Sequence, residues 1–205
     1  MKRKLAAKRK NLKGSVPDQS EVALILVDLI NPLDFPEAKQ MERYVPKMVR
    51  QIKRLKKRAK AAGVPVIYVN DNFGRWRSDF RGLVEACRTK DCRGRLLAEE
   101  LAPEEDDYFV LKPKHSGFYA SALETLLLYL GAERLVITGI AGTYCVLFTA
   151  NDAYMRDYEL AVPADCTISN TARENKQALA LMDRYLNADT RQSDRLRFPR
   201  QKRRR

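Results

Sequence analysis

The stretch Leu135-Val136-Ile137-Thr138-Gly139-Ile140-Ala141-Gly142-Thr143-Tyr144-Cys145-Val146 sets the reading of the whole chain. The apolar run Leu135–Thr138 reads as a buried strand, and Tyr144 to Arg156 as the helix that follows it. Cys145 then stands in a strand-to-helix turn. A helix N-terminus carries about half a positive charge and up to four unpaired backbone N–H groups, so a thiol there shifts toward thiolate, and the same N–H groups can hold an oxyanion. The competing reading is a small buried hydrophobe, a frequent fate of free cysteine.

Working outward, strand and helix patterns alternate. Val22–Val27 is a continuous apolar run ending at Asp28, as expected of a strand buried on both faces. A helix is predicted from Ala38 to Ala62, with Met41, Val45, Met48, Ile52, Leu55 and Ala59 on its inner stripe. Its other face carries Lys47, Arg50, Lys53, Arg54, Lys56, Lys57 and Arg58 and reads as solvated. Gly63 closes it, Pro65–Val69 forms a second strand, and Asn70-Asp71-Asn72 a polar turn. Phe73 to Pro103 is the least regular part, with one helix near Leu83–Cys87 and a remainder that reads as a lid or an oligomer contact. Tyr108–Leu111 is a third strand ending at Lys112. Helix Ser121–Leu130, strand Arg134–Thr138, a short strand at Glu159–Pro163 and helix Ala172–Leu186 complete the pattern. The alternation predicts an α/β fold of three layers, a mainly parallel five- to six-stranded sheet with helices on both faces.

The chain of 205 residues suits one domain, and its four cysteines, Cys87, Cys92, Cys145 and Cys166, show no disulfide or zinc spacing. Without a secretory signal or an apolar run near the ~18 residues of a membrane span, a cytoplasmic protein with free thiols and no membrane insertion is expected. The net charge of +13 invites a nucleic-acid reading, but the excess is terminal. Residues 1–13 carry +7 and residues 191–205 another +7, leaving −1 for residues 14–190. The expected organisation is a basic disordered tail over 1–18, a folded domain over 19–190 and a second basic tail over 191–205. Such tails suit weak, salt-sensitive contact with nucleic acid, an acidic partner or an anionic surface, or serve solubility alone.

In an open parallel sheet, ligands bind beyond the carboxyl ends of the strands. Asp28, Lys112 and Cys145 each follow an apolar run and therefore emerge at that edge. An acid, a cation and a thiol in one cleft have a chemical logic: the carboxylate takes the thiol proton, the ammonium stabilises the anions, and the sulfur attacks a carbonyl. An incidental Lys–Asp ion pair is the plainer alternative.

Three segments, Val27-Asp28-Leu29-Ile30-Asn31, Lys112-Pro113-Lys114-His115-Ser116-Gly117-Phe118 and Gly139 to Val146, resemble the signatures of the isochorismatase-like cysteine hydrolases over about Val22 to Leu186. That family includes nicotinamidases, N-carbamoylsarcosine amidases and ureidoacrylate amidohydrolases. The resemblance implies a Rossmann-like fold and a catalytic triad of Asp28, Lys112 and Cys145. It also implies a cis peptide before Ala141, an oxyanion hole from the N–H groups of Ala141 and Cys145, and a dimer or tetramer. On this reading a small-molecule amide, ureide or carbamoyl substrate is cleaved at C–N through a thioester, with Asp28 as the base in both halves and no cofactor. The alternatives are an isochorismatase-type ether hydrolase and a non-catalytic scaffold that binds through its tails.

Three departures from the family pattern stand out. Ile30 replaces a glutamine and Gly142-Thr143 a Thr-Asn or Thr-Asp pair, and both read as changes to the pocket. Asn70-Asp71-Asn72-Phe73-Gly74-Arg75-Trp76 replaces an Asp-x-His-x-x-His metal motif, and with His115 the only histidine no His-ligated metal is expected. Pocket candidates, chosen for flanking the triad in sequence, are Asn31, Phe35, Asn72, Trp76, Phe118 and Tyr144. Four of them have a plainer use: core for Phe35 and Phe118, a subunit contact for Trp76, a turn cap for Asn72. His115 reads as a structural or rim residue, with an acid–base catalyst as the alternative.

Overall fold

A computed structural model describes residues 19–74 and 79–199. Six strands pair in parallel: β1 (Val22–Val27), β2 (Val66–Asp71), β3 (Tyr108–Lys112), β4 (Arg134–Ile140), β5 (Glu159–Ala161) and β6 (Thr167–Ile168). Their order is β3-β2-β1-β4-β5, with β6 continuing beside the end of β4 at Gly139↔Thr167 and Ile140↔Ile168. The chain winds one way from β1 to β3 and the other way from β4 to β5, so the order reverses between β1 and β4. Ligand crevices of parallel sheets open at that place.

Every side chain of β1 is buried, as its unbroken apolar run requires of a central parallel strand. Leu24 and Leu26 point to one face, where they meet Met48, Ile52 and Leu55 of a helix spanning Val45–Ala61. Ala23, Ile25 and Val27 point to the other, against Leu123, Leu127, Ala150 and Met182. Helices α1 (Ala38–Met41), α2 (Val45–Ala61), α3 (Phe80–Cys87) and α4 (Arg95–Glu100) supply the first layer. Helices α5 (Leu123–Leu130), α6 (Leu147–Tyr154) and α7 (Ala172–Leu186) supply the second. The three-layer α/β fold read from the sequence is the observed one.

Local differences have identifiable causes. The single helix expected over 38–62 is interrupted by a 3₁₀ turn at Glu42–Tyr44, because Pro46 in the first turn of α2 has no N–H to carry a helix through from α1. Helix α4 was missed in the weakly patterned segment, and β6 is only two residues long. The solvated face of α2 loses two of its cations to the interior. Lys56 is buried, with Nζ 2.6 Å from Asp107 Oδ2 and 3.1 Å from the Tyr68 hydroxyl. Arg58 donates to the carbonyls of Ser193 (2.9 Å) and Leu196 (2.5 Å), and the Ser193 hydroxyl and N–H bind the Asp165 carboxylate. Leu196 is 1% exposed, so the packed chain runs past residue 190, where the sequence placed the start of a tail. No helix of the described residues is long and apolar enough to cross a membrane.

Candidate active site

The carboxyl edge of the sheet is shaped first by backbone. Asp28 leaves β1 at φ +49°, while its N–H still bonds the Val69 carbonyl at 3.0 Å. Gly139 sits at φ +120°, and a Cβ there would lie 2.0 Å from the Val27 carbonyl oxygen. Only glycine lets β4 pass so close to the end of β1. Lys112 is in register with Asp71 on β2, two residues beyond the expected end of that strand. The edge thus carries an acid on each of two neighbouring strands and a cation on the third.

These groups meet at the thiol. Lys112 Nζ lies 2.9 Å from Asp28 Oδ2, 3.4 Å from Asp71 Oδ2 and 3.6 Å from Cys145 Sγ. The Asp71 N–H donates to Asp28 Oδ1 at 2.6 Å. Lys112 is 0% exposed and Asp28 3%. Cys145 stands within a π-helical turn, Gly142–Val146, rather than in the first turn of an α-helix; α6 begins at Leu147. The Ala141 carbonyl accepts from Tyr144 (3.0 Å) and Val146 (3.1 Å), and the Ile140–Ala141 peptide is cis.

Burial governs the electrostatics. It raises the Asp28 carboxyl above the usual carboxylate range, although Lys112 and the hydrogen bonds pull the other way. For Lys112 burial favours the neutral form, but the charge of Asp28 and its other partners hold the ammonium above its ordinary value. Burial, followed by the Asp28 charge, pushes the Cys145 thiol up against the pull of Lys112. Burial thus raises the thiol and the Asp28 carboxyl together, while Asp28 holds the neighbouring Lys112 in its charged form. The shift toward thiolate expected from the helix terminus is outweighed.

The sulfur also meets an exposed side chain. His115 Nδ1 lies 3.7 Å from Cys145 Sγ, and its exposed ring contacts those of Tyr144 (5.8 Å) and Phe148 (5.7 Å). The loop that carries it is fastened to α6: the Ser116 hydroxyl donates to Asp152 and accepts from the Phe118 N–H at 3.1 Å, and the Gly117 N–H donates to the Thr149 hydroxyl at 2.9 Å.

Of the six pocket candidates, only Tyr144 is seen grouped with the thiol, through His115. Asn31 is buried and caps the Leu33 N–H at 2.8 Å; Asn72 caps Gly74 at 3.0 Å. Phe35 packs on the core of the α2 layer. Phe118 is 6% exposed, inside the other core against Tyr158 and under Arg156. Trp76 lies outside the described residues. Two departures read as pocket changes are packing instead. Ile30 is fully buried in the core, and a Cβ on Gly142 would lie 2.4 Å from Asn175 Oδ1 and 2.9 Å from Ser169 Oγ. Asp71 and Phe148 were missed, Asp71 because it stands in a stretch that reads as a polar turn. Among the described residues no group of three or more His, Cys, Asp or Glu side chains is placed to hold a metal ion.

Comparison with known proteins gives a consistent picture. A family model described as the isochorismatase domain matches residues 22–193. The chain is 42% identical over 171 residues to the uncharacterized isochorismatase family protein YaaI of Bacillus subtilis (strain 168), covering 83% of this chain and 93% of that protein. It is 31% identical over 175 residues to the ureidoacrylate amidohydrolase RutB of Stutzerimonas stutzeri (strain A1501), covering 72% and 70%. Among solved structures, N-carbamoylsarcosine amidase from Thermoplasma acidophilum aligns with a TM-score of 0.64 at 26% identity, over 86% of this chain and 98% of that one.

Proposed function

The chain belongs to the isochorismatase family, and from that premise we propose that it is a cysteine hydrolase cleaving a C–N bond of a small amide, ureide or carbamoyl compound through a thioester on Cys145. The observation that carries this reading is the buried cluster in which Lys112 Nζ lies 2.9 Å from Asp28 and 3.6 Å from Cys145 Sγ. Burying an acid and a cation is costly, and an ordinary structural ion pair needs no thiol at its head.

The chemistry follows from the groups that surround the thiol. As Sγ attacks the substrate carbonyl carbon, its proton passes to Asp28, whose raised basicity suits the transfer. Lys112 compensates the negative charge that persists throughout. The N–H groups of Ala141 and Cys145 stabilise the oxyanion, each such donor contributing roughly 3 kcal/mol in comparable enzymes. When the C–N bond breaks, Asp28 returns the proton to the departing nitrogen, and water then hydrolyses the thioester. The names of two similar proteins, a ureidoacrylate amidohydrolase and an N-carbamoylsarcosine amidase, support carbon–nitrogen cleavage over the ether cleavage of isochorismatase.

The test is a screen of small amides, ureides and carbamoyl compounds for ammonia or amine release. Cys145→Ala is expected to remove turnover by a factor on the order of 10⁴ or more with the fold intact. Retained turnover in that variant, or an active chain that releases no nitrogen product, rejects the proposal.

A further inference from the structure

We propose that the outer face of α2, with the C-terminal segment fastened beside it, is a docking surface for double-stranded DNA, held through the phosphates. The stretch Val45–Ala61 contains eight basic residues and no acidic one. The structure sorts them by direction. Lys53, Lys56 and Lys60 pair with Glu100, Asp107 and Asp106. Arg58 turns the other way and donates to the carbonyls of Ser193 and Leu196. The remaining four, Lys47, Arg50, Arg54 and Lys57, are exposed, and among the described residues none is paired with an acid. At 3.6 residues per turn, offsets of three, seven and ten residues keep these four within about 80° of arc, roughly opposite the buried Met48, Ile52, Leu55 and Ala59. Like charges at such spacings repel, so the bare helix carries a small cost that a bound polyanion removes.

Arg58 also fixes where the chain leaves the domain. Its guanidinium lies 5.7 Å from the centre of the Phe198 ring, and the segment it ties to α2 carries Arg195 and Arg197, both exposed. Arg200, Lys202, Arg203, Arg204 and Arg205 follow within seven residues of Phe198, so the terminal charge is tethered at this face. The near-zero charge of residues 14–190 concealed the face, because its compensating acids lie elsewhere in the chain. The partner follows from what α2 carries and what it lacks. Lys47 to Lys57 spans about 15 Å of helix axis, and one strand of a duplex presents a phosphate every ~3.4 Å, so four cations run beside about four phosphates. None of the exposed large apolar side chains belongs to α2. Single strands are held by bases stacked on aromatic rings, and lipid surfaces by apolar side chains sunk into them; α2 offers neither, since its apolar stripe is spent in the core. Phosphate contacts position a duplex without reading its sequence.

The test is fluorescence anisotropy of the full chain on a labelled DNA duplex of about 20 base pairs, from about 50 to 200 mM salt. Each phosphate contact adds about 0.9 to the slope of log K against log salt. Changing Lys47, Arg50, Arg54 and Lys57 together to Gln should therefore lower the slope by about 3 to 4 and the affinity by roughly 100-fold or more. Each of the four changed singly should lower it by about 1, which keeps the reading should the fourfold variant fail to fold. The same change at Arg88, Lys90, Arg173 and Lys176, exposed cations on other elements, removes an equal net charge and should alter binding little. Thermal unfolding of each variant checks that the fold is intact. Equal losses in the two fourfold variants overturn the proposal, since net charge alone would then be acting. It is also overturned if the parent shows no salt-dependent binding, or prefers a single strand or phosphatidylserine vesicles to the duplex. Binding that survives the change on α2 and is lost only when Arg200 and Lys202 to Arg205 become Gln assigns the contact to the tail and overturns the role of α2.

Discussion

Two sides of the same sulfur are built on different principles. Below it stand Lys112 and Asp28, 0% and 3% exposed, each at the end of a parallel strand whose register is set by the neighbours. Above it stand His115, Tyr144 and Phe148, the last two 51% and 48% exposed, placed by a loop and two turns of helix. The lower side holds the buried charge, and the upper side is exposed to solvent. A charge in a dry site acts strongly because little water screens it, while a half-exposed ring contributes area and shape. Substitutions below the sulfur should therefore act on chemistry and electrostatics, and those above it on turnover partitioning and substrate fit.

The largest effects are expected from Lys112→Met and Asp28→Asn. Each should lower amide turnover on the order of 10⁴-fold, as for a member of a catalytic set that acts as a unit. Lys112→Met also leaves Asp28 and Asp71 facing each other without a cation. Breaking a buried pair in this way costs about 3–5 kcal/mol, read by denaturant unfolding. The two variants should part company in thiol chemistry. After burial, the Asp28 charge is the main influence that keeps the thiol protonated, and Lys112 opposes it. Without Asp28 the remaining cation favours thiolate, so the midpoint of Cys145 alkylation with iodoacetamide should move to lower pH. Without Lys112 it should move to higher pH. Equal shifts, or shifts of the same sign, would show that the buried side does not work by charge.

This division also explains what could be read from the sequence. Asp28 and Lys112 were found because each ends an apolar run, and Cys145 because it stands in the turn after one; parallel strands deliver all such residues to one edge. Asp71 escaped because the second strand reads two residues short; its last rung is held by pairing with Lys112, a partner 41 residues away. The same distance problem hides Lys56, which has the periodicity of a solvated face and is buried by a carboxylate 51 residues later. The π-helical turn around Cys145 has no signature in a 3.6-residue pattern, and Gly142 makes sense only once Asn175 and Ser169 are seen against it. Asn31 and Phe118 flank the triad in sequence but turn into a cap and a core. Proximity along the chain is weak evidence about a pocket, whereas the end of a strand is strong evidence about an edge.

An intermediate effect is expected where the two sides are joined. The Ser116 hydroxyl links the loop after Lys112 to Asp152 on α6, and it also accepts the Phe118 N–H. Ser116→Ala leaves that buried N–H without its partner, at a cost of about 1–3 kcal/mol. For a chain of this length the melting temperature should fall by roughly 2–4 °C per kcal/mol. Turnover should drop about tenfold as the His115 loop loosens, an effect of the size that misplacing a catalytic group by a fraction of an ångström produces. The alkylation midpoint of Cys145 should stay where it is, because Asp28 and Lys112 are untouched. A shifted midpoint would mean that the loop sets the charge balance as well as the upper wall.

The smallest effect belongs to Tyr144→Ala. Half-exposed and free of any charge on the reacting atoms, Tyr144 supports the His115 ring and contributes one wall of the open side. Surface substitutions of this kind usually change stability by no more than about 0.5 kcal/mol. The loss should appear in KM, several-fold at most, with kcat changed less, since a wall binds ground state and transition state alike. If instead kcat fell with KM unchanged, the ring would be holding the turn around Cys145 in its working geometry. The upper side would then be as tightly organised as the lower one, built from aromatic contacts in place of buried charge.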